Sequence, residues 1–305
     1  MFSNGLAPVM VNDKWGYVNK RGRVVIPLQF DAADVFYDKL ALVETNGHAG
    51  FIDKRGNFEI EAKFDSAEVF TGDLARVKVN GQYGYIDKDG DYVISPQFDY
   101  AGEFSGKLAR VMVKDIWGFV NKKGDLVIPL QFDHAGDFSG GLAAVEKDEK
   151  IGYINKKGKL VIDPRFSAGS TFEDGRAVIR IGDKWGFIDK KGSYSIKARF
   201  DSAVNEFTKK VTCVVEDGKY VYLDTKDRYV FEVQYPYGSL FTDDGFAVVG
   251  TTDKKFVLIN KKGETVTPAF DAIGEYGPLY CGEEGCSVAI FGEEEYCLSH
   301  ADKME

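Results

Sequence analysis

Histidine is scarce in this chain, at three residues in 305, and cysteine numbers only four. No apolar run approaches the ~20 residues that cross a bilayer as a helix, so membrane insertion by such a span is not expected. The opening stretch MFSNGLAPVMVNDKWG has no basic region followed by an apolar core. The expected compartment is therefore the cytoplasm, the alternative being a secreted or surface-associated protein whose signal has been removed. No phosphate-cradling glycine loop, zinc-protease helix or calcium loop is present. His48, His134 and His300 stand far apart, with no Ser or Cys beside them in a nucleophile setting. Acid–base or nucleophilic catalysis needs such groups within about 3 Å, and the sequence does not point to any. No enzyme activity and no cofactor are expected, and His48 and His134 read as surface residues of a turn and of a short strand.

The cysteines are Cys213, Cys281, Cys286 and Cys297, with His300 just beyond the last. Their spacing is not that of a standard zinc site. No metal is expected, which leaves reduced thiols or one disulfide tying the terminal segment.

What the chain has in quantity is glycine, at 34 residues, and aromatics, with 23 Phe and 16 Tyr. The glycines are spaced evenly instead of clustering, a mixture that fits β-sheet cut by many turns. Aligning the motif aromatic/apolar, Gly, aromatic, Val/Ile, Asn/Asp, Lys, x, Gly places its first glycine at Gly16, Gly50, Gly84, Gly118, Gly152 and Gly186, a constant step of 34 residues. Val221 and Val257 take that place in two further, degenerate copies. A period of this length is the signature of a tandem array.

Each unit opens with alternating apolar residues, as in LARVKV after Leu74, which predicts a half-buried strand. A second strand such as GYVNK follows, and a third such as RVVIP. Between them Asn/Asp-Lys-x-Gly is a turn: Asn or Asp can bond its own backbone, and Gly takes the positive φ that other residues resist. Asp227 replaces that glycine in the seventh unit. Phe30, Phe64, Phe98, Phe132, Phe166 and Phe200 begin a stretch that ends in a second aromatic, Phe36 in the first unit and Tyr276 in the eighth. This stretch is expected to be a short fourth strand leading to the next unit. Pro27, Pro96, Pro129, Pro164 and Pro268 mark the end of strand three, where a missing N–H costs little.

Segments such as KWGYVNKRGRVVIPLQFDAADVF and IWGFVNKKGDLVIPLQFDHAGDFSGGLAAV resemble the WG-repeat, or KWG-repeat, family of bacterial proteins. Trp itself stands only at Trp15, Trp117 and Trp185, with Ala49, Tyr83, Ile151, Tyr220 and Phe256 in the same column. The resemblance implies a repeat architecture and an interaction role, with no reaction attached. The fold class is all-β, built of four-stranded units of roughly 34 residues. Small residues on strand one fit a β-propeller of about eight blades, the alternative being an open β-hairpin solenoid or superhelix. The array is expected over residues 1–280, and an acidic, cysteine-containing closing or capping segment over residues 281–305.

Charge singles out one further feature. The net charge is −9, yet nine acids lie from Asp271 to Glu305 against Lys303 alone, so the array itself is nearly neutral. Six of its turns are dibasic: Lys20 and Arg21, Lys54 and Arg55, Lys122 and Lys123, Lys156 and Lys157, Lys190 and Lys191, Lys261 and Lys262. Equivalent turns put these charges on one face, a candidate surface for an anionic partner. The plainer reading is that solvated turn tips favour lysine. Asp31, Asp65, Asp99, Asp133, Asp201 and Asp271 recur once per unit and are expected to cap backbone. The tryptophan column is expected to pack between units, although flat indoles can also stack on sugars. The expected function is a non-enzymatic scaffold that binds another protein, possible acidic partners included, the alternative being a binder of an anionic polymer or cell-wall glycan. Nothing in the sequence sets an oligomeric state.

Overall fold

The computed structural model describes residues 2–204, 206–208 and 210–271, and the backbone of Leu279–Tyr280 and Ala289–Ile290. The closing segment expected at 281–305, with Cys281, Cys286, Cys297 and His300, lies outside the described residues apart from Ala289–Ile290, and Tyr276 lies outside them too. Contacts divide the chain into two compact units, residues 1–137 and 138–305. Among the described residues there is no helix, and strands repeat from one end to the other.

The first repeat sets the pattern. Strands β1 (Leu6–Val11) and β2 (Lys14–Asn19) pair antiparallel from Leu6↔Asn19 to Val11↔Lys14. Asn12 and Asp13 join them with φ of 50° and 58°, the two left-handed residues of a type I′ turn. Strand β3 (Val24–Phe30) then returns along β2. The turn between β2 and β3 works as its composition predicts. Asn19 Oδ1 accepts from the N–H groups of Arg21 (2.9 Å) and Arg23 (3.2 Å), and Gly22 sits at φ 73°. Gly56, Gly90, Gly124, Gly158, Gly192 and Gly263 all repeat the positive φ. Asp227 adopts it without being glycine, at φ 63°, beside Arg199, whose guanidinium pairs with it at 2.8 Å and with Glu216 at 3.0 Å.

The motif's first glycine has a different task, because its φ is ordinary and its missing side chain is what matters. A Cβ on Gly118 would lie 2.6 Å from the carbonyl oxygen of Ile128, on the third strand of its own sheet. That strand crosses at a register shift between Trp117 and Phe119, so its backbone rests on the glycine. In the seventh and eighth sheets, where Val221 and Val257 stand in the glycine's place, no third strand forms. Only isolated bridges remain there, Tyr220↔Tyr235 and Leu223↔Tyr229, then Phe256↔Phe270 and Ile259↔Thr265. Between those bridges residues 230–234 and 266–269 run as bends and irregular backbone.

The fourth strand differs from expectation. Phe30 closes β3 instead of opening a new strand, and β4 (Ala32–Ala33) is only two residues long. It pairs not with β3 but with β5 (Ala41–Thr45), the first long strand of the next sheet, through Ala32↔Glu44 and Ala33↔Val43. The sheet is completed by β6 (His48–Ile52) and β7 (Phe58–Phe64), in the order β4-β5-β6-β7. Each sheet thus takes its short strand from the preceding sequence repeat. The first sheet has three strands, the sheets through the sixth have four, and the seventh and eighth have three. Every one is an antiparallel meander of the kind found in propeller blades.

Neighbouring sheets meet through rings. Tyr17 on β2 lies 5.0 Å from Phe36 in the loop that leads into β5, and the same pair recurs as Phe51–Phe70, Tyr85–Phe104, Tyr153–Phe172 and Tyr222–Phe241, at 4.8 to 5.1 Å. Opposite them the first long strands bring small residues, Ala41, Ala75, Ala109, Ala143, Ala177 and Ala247, all buried. Thr212 occupies that column in the seventh sheet, wholly buried and with its hydroxyl unbonded.

The recurring aspartates cap backbone, as their position suggested. Asp31 accepts from Lys14 Nζ (2.6 Å) and from the N–H of Asn46 (2.7 Å), tying one sheet to the hairpin tip of the next. Asp201 does the same with Lys184 Nζ (2.5 Å) and the N–H of Gly218 (2.9 Å). Hydrogen bonding to these donors holds both carboxyls below the usual aspartate range. A depressed pKa contributes stability above the unfolded value, and that contribution is lost as pH falls through the folded one. The melting temperature should therefore hold steady down to about pH 4 and drop below it. A double variant, Asp31→Asn with Asp201→Asn, should melt lower at neutral pH and show a shallower acid decline in a calorimetric series. Independently, Gly124→Ala should destabilise by about 1 kcal/mol or more in denaturant titration, since φ is positive there.

Candidate interaction face

Lys20, Arg21, Lys54, Arg55, Lys122, Lys123, Lys156, Lys157, Lys190, Lys191 and Lys262 are exposed at the tips of the turns between second and third strands, and Lys261 is half-buried. The second, third and sixth turns pack against the sheet before them. A Cβ on Gly56 would meet Ile26 at 2.9 Å, one on Gly90 would meet Ile60 at 3.0 Å, and one on Gly192 would meet Ile162 at 3.0 Å. The turn glycine is thus fixed twice, by its φ and by this close approach.

The same tips touch the loops that lead into the first long strands, a neighbourhood that no local pattern of residues marks. Lys88 Nζ lies 3.2 Å from Asp38, in the loop before β5. Lys190 Nζ donates to the carbonyl of Gly140 at 2.6 Å, and Arg176 donates to the carbonyl of Thr225 in the seventh turn at 3.3 Å. Within each compact unit, turns and lead-in loops are therefore brought side by side, the third, sixth and seventh turns lying against the loop of the sheet before them. Exposed single pairs of this kind add little stability. Charge along the face is uneven. The first turn has Lys20, Arg21 and Arg23 and no acid, the fifth has Lys156, Lys157 and Lys159 and no acid, and the third has Asp87, Asp89 and Asp91 around Lys88.

A second cluster lies within the first compact unit and was not read from the sequence. Tyr83, Tyr100, Trp117 and His134 form a continuous run of rings, with centroids 5.9, 5.2 and 5.0 Å apart. Arg76 lies over Tyr83 and Tyr100, and Arg110 over Tyr100 and Trp117, at 5.4 to 5.7 Å. Each guanidinium also bonds the short strand that follows, Arg76 through the carbonyl of Ala101 and Arg110 through that of Ala135. Arg76 pairs with Glu68, and Arg110 with Asp137 at 3.2 Å. Burial raises the Asp137 carboxyl above its ordinary range against the opposing pull of Arg110. A shallow recess opens alongside, lined by Glu68, Thr71, Arg76, Tyr85, Glu103 and Phe104. The signal was present in the sequence: arginine appears at 76 and 110 in a column otherwise filled by Pro8, Leu42, Ala144, Val178, Cys213 and Val248.

This cluster bears on two expectations. Trp117 packs between repeats, as the column was expected to do. His134 does stand on a short strand, His134–Ala135, but it is half-buried against Trp117 instead of lying free at the surface. His48 is exposed and opens β6 directly after the turn, its Nδ1 3.0 Å from the carbonyl oxygen of Asn46. Cys213 is buried, and desolvation pushes its thiol up to about 12, so it is no nucleophile at neutral pH. Among the described residues no three His, Cys, Asp or Glu side chains gather as a metal site requires.

Replacing Arg110 by Met keeps an unbranched apolar stem but removes the guanidinium and its charge between Tyr100 and Trp117. Unfolding free energy should fall by about 1–3 kcal/mol, with the tryptophan emission shifted in the folded state.

No curated protein matches the chain in sequence. Solved structures similar to it include BamB from Moraxella catarrhalis, at 11% identity and a TM-score of 0.40 over 88% of this chain and 86% of that one. Hsv2p of Kluyveromyces lactis matches at 9% identity and a TM-score of 0.38, over 72% of this chain and 88% of that one. The dihydro-heme d1 dehydrogenase NirN matches at 14% identity and a TM-score of 0.41, over 86% of this chain and 72% of that one. Likeness at that level carries no argument about what this chain does. The model of the WG containing repeat matches residues 1–15, 15–47, 50–83, 83–115, 117–150, 151–185 and 185–220 in succession. With that repeat laid end to end over more than half of its length, the chain belongs to the WG-repeat family.

Proposed function

We propose that the protein is a non-enzymatic scaffold that binds another protein through the face formed by its turns and lead-in loops. One observation supports this reading above the others: equivalent turns keep one backbone while their charges invert. At the third turn Gly90 donates to the carbonyl of Asp87 at 3.0 Å with φ 85°, and at the first Gly22 donates to Asn19 at 2.9 Å with φ 73°. The flanking residues are nonetheless acidic in one and basic in the other. The fold does not require those charges, so they are free to serve a partner. The invariant residues, by contrast, are consumed in holding sheets together.

The acid-free first and fifth turns favour an acidic partner. They favour equally, as a second reading, an anionic polymer or cell-wall glycan that meets several lysines and binds with a steep salt dependence.

The test compares the parent with a variant in which Lys20, Arg21, Arg23, Lys156, Lys157 and Lys159 are reversed to Glu. A protein partner isolated from the native host and purified should bind the parent by titration calorimetry, weaken with added salt, and lose at least tenfold in affinity for the variant. The melt should barely move. Equal affinity for both proteins would remove these turns from the binding surface, and retention of the parent on insoluble peptidoglycan in moderate salt, with no protein partner, would establish the second reading.

A further inference from the structure

The chain contains three Asn-Gly steps, Asn4-Gly5, Asn46-Gly47 and Asn80-Gly81. All three lie in two-residue hairpin turns, with the asparagine φ at 53°, 52° and 52°, and all three asparagines are exposed. Their hydrogen bonding differs. The Asn4 carboxamide donates to the carbonyl of Phe36 at 3.0 Å. At Asn80 the carboxamide is unbonded, but the N–H of Gly81 donates to Asp65 Oδ2 at 3.1 Å. At Asn46 the aspartate binds one residue earlier, at the N–H of Asn46 itself (2.7 Å), and neither the Asn46 carboxamide nor the N–H of Gly47 has a partner.

We propose that Asn46 is a site of spontaneous deamidation, selected over Asn80 and Asn4 by these bonds. The glycine nitrogen gives up its proton to solvent and attacks the asparagine Cγ. The Cγ–Nδ2 bond breaks, ammonia leaves, and a five-membered succinimide forms. Water then opens the ring at either carbonyl, giving aspartate or isoaspartate, with no oxidant or cofactor involved. A neighbouring carboxylate raises the cost of forming the amide anion, and a hydrogen bond from the glycine N–H keeps its nitrogen directed away from Cγ. Gly81 bears both burdens. Asn4 is slowed at the other reactant, since its carboxamide is held by Phe36. Asp31 stands beside Asn46 as well, but it binds the N–H of Asn46 and not that of Gly47, so the attacking nitrogen is not held, the Asn46 carboxamide is not held either, and the turn has only to open far enough for the nitrogen to reach Cγ.

The position of the product gives the modification its effect. Asp31 binds the backbone of residue 46, so a new carboxylate there sets two like charges at one hairpin tip, weakening the tie from Lys14 through Asp31 to the second sheet. An isoaspartate also lengthens the main chain inside a two-residue turn whose strands pair as Thr45↔His48. The second sheet would lose the end of its β5–β6 hairpin with age.

The folded full-length protein, held in mildly alkaline buffer, is sampled over time by peptide mapping with mass detection, and isoaspartate is counted by enzymatic methyl transfer. Deamidation at Asn46 should run several-fold faster than at Asn80 or Asn4. In denaturant the three rates should converge, because the local sequence is shared. Asp65→Ala should bring the Asn80 rate up towards that of Asn46 while leaving Asn46 unchanged. Equal rates at the three sites in the folded protein, or an Asn80 rate indifferent to Asp65→Ala, would overturn the proposal.

Discussion

Within each compact unit, neighbouring sheets are joined by a ring on the second strand of one that seats against a ring from the loop that follows. Tyr17 with Phe36 is the first such pair, and both are essentially without solvent contact. Burying a side chain of this size is worth on the order of 3 kcal/mol, and the geometry of two rings adds up to about 1 kcal/mol more. The pair also aims the chain. It fixes where the loop leaves one sheet and enters the next, and so sets the register of the short strand that crosses over. In the first, third, fifth and seventh sheets the ring is tyrosine, and its hydroxyl donates to a loop carbonyl: that of Asp34, Gly102, Ser170 or Ser239. Phe51, Phe119 and Phe187 stand between them without a hydroxyl. The array therefore alternates, with a structural period of two sequence repeats.

Much of this order was legible in the residues. The constant glycine step, the Asn19-to-Gly22 turn and the capping role of Asp31 rest on local chemistry, which a single repeat displays in full. The membership of the short strand was not legible, because two residues such as Ala32 and Ala33 show no periodicity and their partner lies beyond an irregular loop. His134 was placed on the right short strand, but its partial burial was not foreseen, for a related reason. Its burial depends on Trp117, which reaches it only after two sheets have come together. The interaction face was half visible: Lys88 and Asp38 are 50 residues apart, and nothing in either segment announces the other.

The glycine of the WG motif goes together with a complete third strand, because any Cβ there would meet that strand's backbone. Six sheets keep the glycine and carry a complete third strand laid across it. Two have valine, and their third strands survive only at the ends. The loss is compensated locally: in the seventh sheet Arg199, Glu216 and Asp227 form a charged tie, and the Tyr229 hydroxyl donates to Glu216. Phe231, in the stretch between the bridges, packs where a Cβ of Gly263 would come within 2.7 Å of its ring. Regularity is given up at that end of the array, but contact between sheets is not.

The offset between the sequence repeat and the sheet bears on how such a chain can grow or shrink. A sheet borrows its short strand from the repeat before it, so no repeat is a self-sufficient building block. Yet the borrowing is identical at Ala32, Ser66 and Tyr100. Removing or duplicating any 34 consecutive residues within the regular part, whatever the starting point, therefore rejoins donor and acceptor in the same register. Unequal recombination between repeats would thus preserve the strand pairing wherever the crossover fell, while a change by one repeat would set two like rings in neighbouring sheets and a change by two would keep the alternation.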